Sequence, residues 1–159
     1  IAVGAQNISP VDEGAYTGEI NGKQIKEFAD YVIVGHSERR SNFNEEDETL
    51  FKKTEMAKKY GLIPIFCVQG VDTRIPLDIS IAAYEPINAI GTGHPDTPES
   101  AQEVASFFKK NYKIQYILYG GSVTSQNVKS FTQMPDIDGV LVGGASLDVQ
   151  EFYTIIQNS

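Results

Sequence analysis

Residues 116–122 read Tyr-Ile-Leu-Tyr-Gly-Gly-Ser, and residues 139–146 read Gly-Val-Leu-Val-Gly-Gly-Ala-Ser. Each carries the end of a short apolar run, Ile114 to Tyr119 and Gly139 to Val142, that stops on paired glycines. Such runs, apolar at successive rather than alternate positions, are expected of parallel strands covered on both faces. Glycine lets backbone N–H groups come close to an anion, and a short helix starting just after the turn points its positive end at the same place.

Four more runs share the strand character: Ile1 to Ala5, Tyr31 to Gly35, Leu62 to Val68 and Ile79 to Tyr84. Amphipathic stretches alternate with them at Lys23 to Asp30, Glu45 to Tyr60, Pro98 to Tyr112, Thr124 to Gln133 and Val149 to Gln157. Each mixes apolar and charged positions at helical spacing. Thr97 before Pro98 gives one helix start, with the cap hydroxyl followed by proline at the first helical position. About six strands alternating with helices predict an α/β protein in a single domain, residues 1–159. An open doubly wound sheet fits this length. A (β/α)₈ barrel needs about 250 residues and two more strands. Two glycine turns at the last two strand ends match the usual phosphate position of barrels and favour that reading. From Val68 to Ile79 the connection is too short for a normal crossover helix, so a helix is expected to be lost or reduced there.

With 13 basic and 21 acidic residues the net charge is −8, and no basic run tracks a phosphate backbone, so nucleic acid is excluded as an expected partner. No stretch approaches the roughly 20 apolar residues of a membrane span. One cysteine, Cys67, forms no intrachain disulfide and agrees with a cytoplasmic location. It reads as a small core residue. Two histidines and one cysteine, far apart, give no metal-ligand spacing, and neither a metal nor a cofactor is expected. The cluster Glu45 to Glu48 reads most simply as a helix first turn favouring its dipole.

Two residues stand where chemistry is expected, at C-terminal strand ends. His36 follows Tyr31 to Gly35, where an imidazole polarises or shuttles protons; a hydrogen-bonded loop histidine is the plain alternative. Glu85 follows Ile79 to Tyr84. A carboxylate at the mouth of an apolar strand is partly desolvated, which raises its pKa and suits it to removing a proton beside a carbonyl. A salt-bridged carboxylate is its alternative. Pro86 on one side and Gly91 and Gly93 on the other are what a swinging lid requires.

Six segments together resemble the triosephosphate isomerase family: Gly4-Ala5-Gln6-Asn7; Gly14-Ala15-Tyr16-Thr17-Gly18-Glu19; Val34-Gly35-His36-Ser37-Glu38-Arg39-Arg40; Ala83-Tyr84-Glu85-Pro86 with Ala89-Ile90-Gly91-Thr92-Gly93; Tyr119-Gly120-Gly121-Ser122; and Asp138-Gly139 with Leu141-Val142-Gly143-Gly144-Ala145-Ser146-Leu147. They stand in family order over nearly the whole chain. The resemblance implies a TIM (β/α)₈ barrel entered at its third strand, with about six of eight units present. It implies the interconversion of dihydroxyacetone phosphate and glyceraldehyde 3-phosphate without a cofactor, in glycolysis and gluconeogenesis. Glu85 would be the base, His36 the neutral electrophile and Glu38 a carboxylate supporting proton handling; pKa tuning of this kind is established for the family and is not read from the spacing here. Gly91, Ser122, Gly143 and Gly144 would hold phosphate, while Ile90 and Leu141 would close over the base. Gln6 and Thr17 belong to a loop that, by resemblance, inserts into a partner subunit and implies a homodimer.

The sequence also departs from the family pattern. It opens on Ile1 inside an apolar run, so two upstream strands and the family's Asn-x-Lys segment are expected to be missing. Asn88 replaces an aromatic residue, and Val68-Gln69-Gly70 replaces Ile-Gly-Glu, which predicts a different open-lid contact. Two alternatives stand beside the isomerase. One is an incomplete, inactive barrel that binds phosphate or other chains; the other is an epimerase-like sugar phosphate barrel that depends on metal.

Overall fold

The computed structural model describes residues 1–87 and 95–159. Its elements are β1 (Gly4–Ala5), α1 (Gly22–Lys26), β2 (Tyr31–Val34), α2 (Ser37–Asn42), α3 (Asp47–Lys59), β3 (Ile63–Val68), β4 (Ile81–Tyr84), α4 (Pro98–Tyr112), β5 (Tyr116–Tyr119), α5 (Val128–Thr132), β6 (Gly139–Val140), a 3₁₀ turn (Gly144–Leu147) and α6 (Val149–Asn158). The chain forms two compact units. Residues 1–67 and 74–81 make the first, and residues 68–73 and 82–159 the second.

In the first unit the strand order is β1-β2-β3. The pairs are parallel, with Gly4 opposite Tyr31 and Val32 opposite Pro64. Val32, Val34, Phe66 and Cys67 are buried with Leu50 and Ala57 of α3. The buried face of α3 is Leu50, Lys53, Thr54 and Ala57, the three-to-four spacing of one helical stripe with a lysine in it. Helix α1 is closed by a capping box, in which Asn21 accepts from the Gln24 N–H and the Gln24 side chain accepts from the Asn21 N–H.

In the second unit the order is β4-β5-β6. Tyr119 pairs with Val140 in parallel, and the Gly120 N–H donates to Tyr84 O at 2.7 Å. Ala101, Ala105 and Phe108 of α4 are buried, as are Ile117, Val128, Phe131 and Ile155. As expected, α4 starts on Thr97, whose hydroxyl accepts from the Ser100 N–H, with Pro98 at its first position.

Between Val68 and Ile81 no helix forms. Instead the Thr73 hydroxyl accepts from the Gln69 and Gly70 N–H groups and closes a turn. The ladders are shorter than the apolar runs that foretold them. Leu62, Ile79 and Ile114 are buried yet lie outside β3, β4 and β5, because the runs record burial and not pairing.

Candidate functional site

In the first unit the site begins with Gly35. Its φ is +78°, and an added Cβ would lie 3.1 Å from Leu50 Cδ1 and 3.2 Å from Arg40 Nη2, so only glycine makes this turn without strain. The turn delivers His36 as the N-cap of α2, where Nδ1 accepts from the Glu38 N–H at 3.3 Å. That contact holds the ring against the first turn of α2.

Helix α2 has no apolar residue and was not foreseen from periodicity. Its arginines hold it instead. Arg40 donates to Gly35 O (2.9 Å) and Cys67 O (3.1 Å), reaching the ends of two strands, and pairs with Asp47. Arg39 lies over the Phe43 ring and pairs with Glu45 at 2.6 Å. Glu45 in turn meets Lys53 Nζ at 2.5 Å, and the same ammonium donates to Asn7 Oδ1 at 2.6 Å. The Lys53 side chain is only 3% exposed and that of Glu45 7%. Glu45 is therefore not part of a dipole-favouring first turn. Only Asp47 and Glu48 occupy that turn, while Glu45 faces inward under two cations. Burial pushes the Glu45 carboxyl up, but the hydrogen bonds from Arg39 and Lys53 outweigh it and hold it below the ordinary value. For Lys53 burial wins over Glu45, and its ammonium is easier to deprotonate than usual.

Glu38 is exposed, as are Gln6 and Thr17. Thr17 sits in a turn that the Glu19 N–H closes onto Tyr16 O at 3.0 Å, with Gly18 at φ +98°.

In the second unit Glu85 is 1% exposed, and its N–H donates to Val68 O at 2.8 Å. The neighbouring turn lies directly against it. A Cβ on Gly120 would come 3.0 Å from Glu85 Cγ and 3.7 Å from Leu141 Cβ. Gly121 covers the Tyr119 hydroxyl so closely that a Cβ there would collide with it. Below, Tyr119 stacks on Phe131 at 3.8 Å, the rings 7° from parallel. Asn127 shapes the exit by donating to Ser122 O (2.9 Å) and accepting from the Thr124 N–H (2.8 Å). On the next strand Leu141 N–H donates to Tyr119 O at 2.8 Å, and the chain then turns at Gly143, whose carbonyl accepts from the Ser146 N–H and hydroxyl. Nothing lies within 4 Å of the Cβ positions of Gly143 and Gly144, so the space above them is open to a ligand.

Thus Glu85, Ser122, Leu141, Gly143 and Gly144 follow the ends of consecutive strands of one unit, with Gly120 between Glu85 and Leu141. His36 and Glu38 belong to the other unit. Ile90 and Gly91 lie outside the described residues. Among the described residues no group of three or more His, Cys, Asp or Glu side chains is arranged to hold a metal ion.

The sequence model of triosephosphate isomerase matches residues 1–159. The chain belongs to the triosephosphate isomerase family. Triosephosphate isomerase of Mesomycoplasma hyopneumoniae strain 232 is 42% identical over 181 positions, spanning 100% of this chain and 75% of the relative. That of Legionella pneumophila strain Lens is 40% identical over 188 positions, with 99% and 76% covered. The crystal structure of triosephosphate isomerase from Bartonella henselae superposes with a TM-score of 0.86 at 31% identity, over 99% of this chain and 77% of that one. With the family comes the fold class, an α/β fold carrying about six of the units of a TIM (β/α)₈ barrel. Matches of 181 and 188 positions to a chain of 159 residues mean that these relatives carry internal residues without counterpart here. The helix-free connection after β3 is one place where such a shortfall fits.

Sequence reasoning missed the residues that shape the surroundings of His36 and Glu85. Lys53 was detectable, since it falls on the inward stripe of α3. Tyr84 and Tyr119 were visible only as strand residues, although each immediately precedes a site residue or turn.

Proposed function

We propose that this chain performs its family's isomerisation with Glu85 as general base and His36 as electrophile. The chain is an aldose–ketose isomerase of triose phosphates, and the reaction needs one proton moved between adjacent carbons. In that reading the Glu85 carboxylate takes a proton from C1 of dihydroxyacetone phosphate, and the C1–H electron pair forms the enediolate. Nε2–H of His36 donates to the substrate oxygen on which the negative charge grows. Return of the proton to C2, with the hydroxyl proton of O1 passed to O2 by way of His36, gives glyceraldehyde 3-phosphate with no atom gained or lost. Glu38 supports this proton handling. Gly91, Ser122, Gly143 and Gly144 hold the phosphate, and Ile90 and Leu141 cover the base.

One observation carries the reading: Glu85 is almost wholly buried, with the turn at Gly120 against its methylenes. A carboxylate kept from water is a stronger base toward carbon than a hydrated one. The homodimer and the cytoplasmic location are part of the same proposal. Exposure of Gln6 and Thr17 supports the first, since an inserting loop must present its tip. No described helix is long and apolar enough to cross a membrane.

The test is turnover by the protein as its gene encodes it, with Glu85→Asp, which withdraws the carboxylate by one methylene. Turnover is expected to fall by about 10² or more while inorganic phosphate binds within about twofold of the parent. Equal losses in turnover and phosphate affinity would make Glu85 a structural residue.

A further inference from the structure

We infer that Asp96 is a positioning residue for Glu85, acting through Tyr84; the inference rests on Glu85 being the base. Its carboxylate collects three donors. Oδ2 accepts the Tyr84 hydroxyl at 3.1 Å and the Ser100 hydroxyl at 2.9 Å, and Oδ1 accepts the Thr97 N–H at 2.9 Å. Its own N–H donates to the Tyr119 hydroxyl at 3.0 Å. One residue thereby joins the last residue of β4, the last residue of β5 and the first turn of α4.

The consequence for the base follows from strand geometry. Tyr84 and Glu85 are consecutive at the end of β4, and consecutive side chains on an extended backbone leave on opposite faces. Fixing the far end of Tyr84 therefore fixes the rotation of the strand end and with it the direction of Glu85. The Tyr84 ring has little freedom otherwise. It is 7% exposed and tilted at 58° against Tyr119, 6.4 Å between centroids, and Tyr119 is itself stacked on Phe131. Its carbonyl takes the Gly120 N–H, so the same residue also places the turn over the base. A hydroxyl donating to a carboxylate makes a short-range, directional bond about twice as strong as a neutral one. Burial, then Asp96 beside it, pushes the Tyr84 hydroxyl well above its ordinary pKa, so it keeps its proton to donate. None of these contacts touches substrate, and Asp96 is not a catalytic residue.

The side chain and the backbone of Asp96 act separately, which makes the idea testable. Replacing the side chain removes the hold on Tyr84 but leaves the N–H that meets Tyr119 beneath the Gly121 turn. In Asp96→Ala and in Tyr84→Phe, kcat is expected to fall about tenfold, with KM and inorganic phosphate affinity within about twofold. The double variant should be no slower than the slower single one, and Asp96→Asn should recover most of the loss. Amide hydrogen exchange reads the same claim without turnover. Protection at Glu85 and Gly120 should drop about tenfold in both single variants, with Asp138, which bonds to Ile117 O in the same unit, unchanged. Folded variants with unchanged kcat, or exchange at Glu85 and Gly120 equal to the parent's, would overturn the inference; so would additive losses in the double variant. Failure of the base reading looks different: Glu85→Asp would keep its turnover, whatever exchange shows at Gly120.

Discussion

The unit that carries His36 is organised by charge, whereas the unit that carries Glu85 is organised by rings, hydroxyls and glycines. Around His36, two arginines, a lysine and two carboxylates bind the end of one strand to the helices that follow, and two of those charges are almost fully buried. In the unit of Glu85, Tyr119 stacks on Phe131 with Tyr84 tilted against it, Gly121 covers the Tyr119 hydroxyl, and the Asp96 carboxylate accepts from Tyr84. The difference tracks what each residue would do in the proposed reaction. There His36 donates from Nε2 while Nδ1 is met by the Glu38 amide, in a short polar helix that Arg39 and Arg40 hold in place. In the proposed reaction Glu85 must be dry, and its burial, with the Gly120 turn against its methylenes, meets that need.

The comparison breaks first, if it breaks, at Lys53. Lys53→Met leaves buried Glu45 with Arg39 alone and Asn7 without its donor, and should cost about 3 kcal/mol or more, read from the urea unfolding midpoint. A loss below about 1 kcal/mol, the surface-pair range, would mean that charge does not organise this unit.

Gly121→Ala probes the other side. Its Cβ would occupy the place of the Tyr119 hydroxyl, so the turn must lift; about 1–3 kcal/mol of stability should be lost, and phosphate affinity should weaken with it. Tyr119→Phe combined with Gly121→Ala should recover part of both losses, because the hydroxyl is the atom in the way.

The smallest effect expected is one of pH. Glu45 holds its proton more weakly folded than unfolded, so the unfolded chain binds more protons in acid, and the stability Glu45 contributes is present above its unfolded value of 4.5 and lost as pH falls through the lower folded one. Glu45→Gln should flatten that part of the stability–pH curve. A curve in which the parent and Glu45→Gln fall in parallel would show that other carboxylates dominate. No comparable acid limb is expected from the aromatic stack, where burial raises Tyr119 to about 12 and the hydroxyl stays protonated throughout.

The same contrast explains what could be read from the sequence. Strands buried on both faces declare themselves as apolar runs, and α4 declared its start through Thr97 and Pro98, since both signals are local. The positions of His36 and Glu85 at strand ends followed from those runs. Helix α2 did not, because Ser-Glu-Arg-Arg-Ser-Asn has no apolar period and is set by Arg40 reaching to Gly35 and Cys67. Glu45 looked like its three acidic neighbours; the partners it meets six residues before and eight residues on, Arg39 and Lys53, turn it inward. Asp96 was silent for the same reason. An aspartate whose carboxylate meets Tyr84 and whose N–H meets Tyr119 carries no mark of either in its own neighbourhood.

Gly121 and Tyr119 also constrain the routes by which this segment can change over evolutionary time. A side chain at position 121 is blocked while the hydroxyl at 119 remains, yet a shortened ring at 119 leaves the Asp96 N–H without its acceptor. Neither substitution is neutral alone, and the less costly one must come first. The pair is therefore expected to be inherited as a unit, with any lineage that carries a larger residue at 121 having already given up the tyrosine at 119.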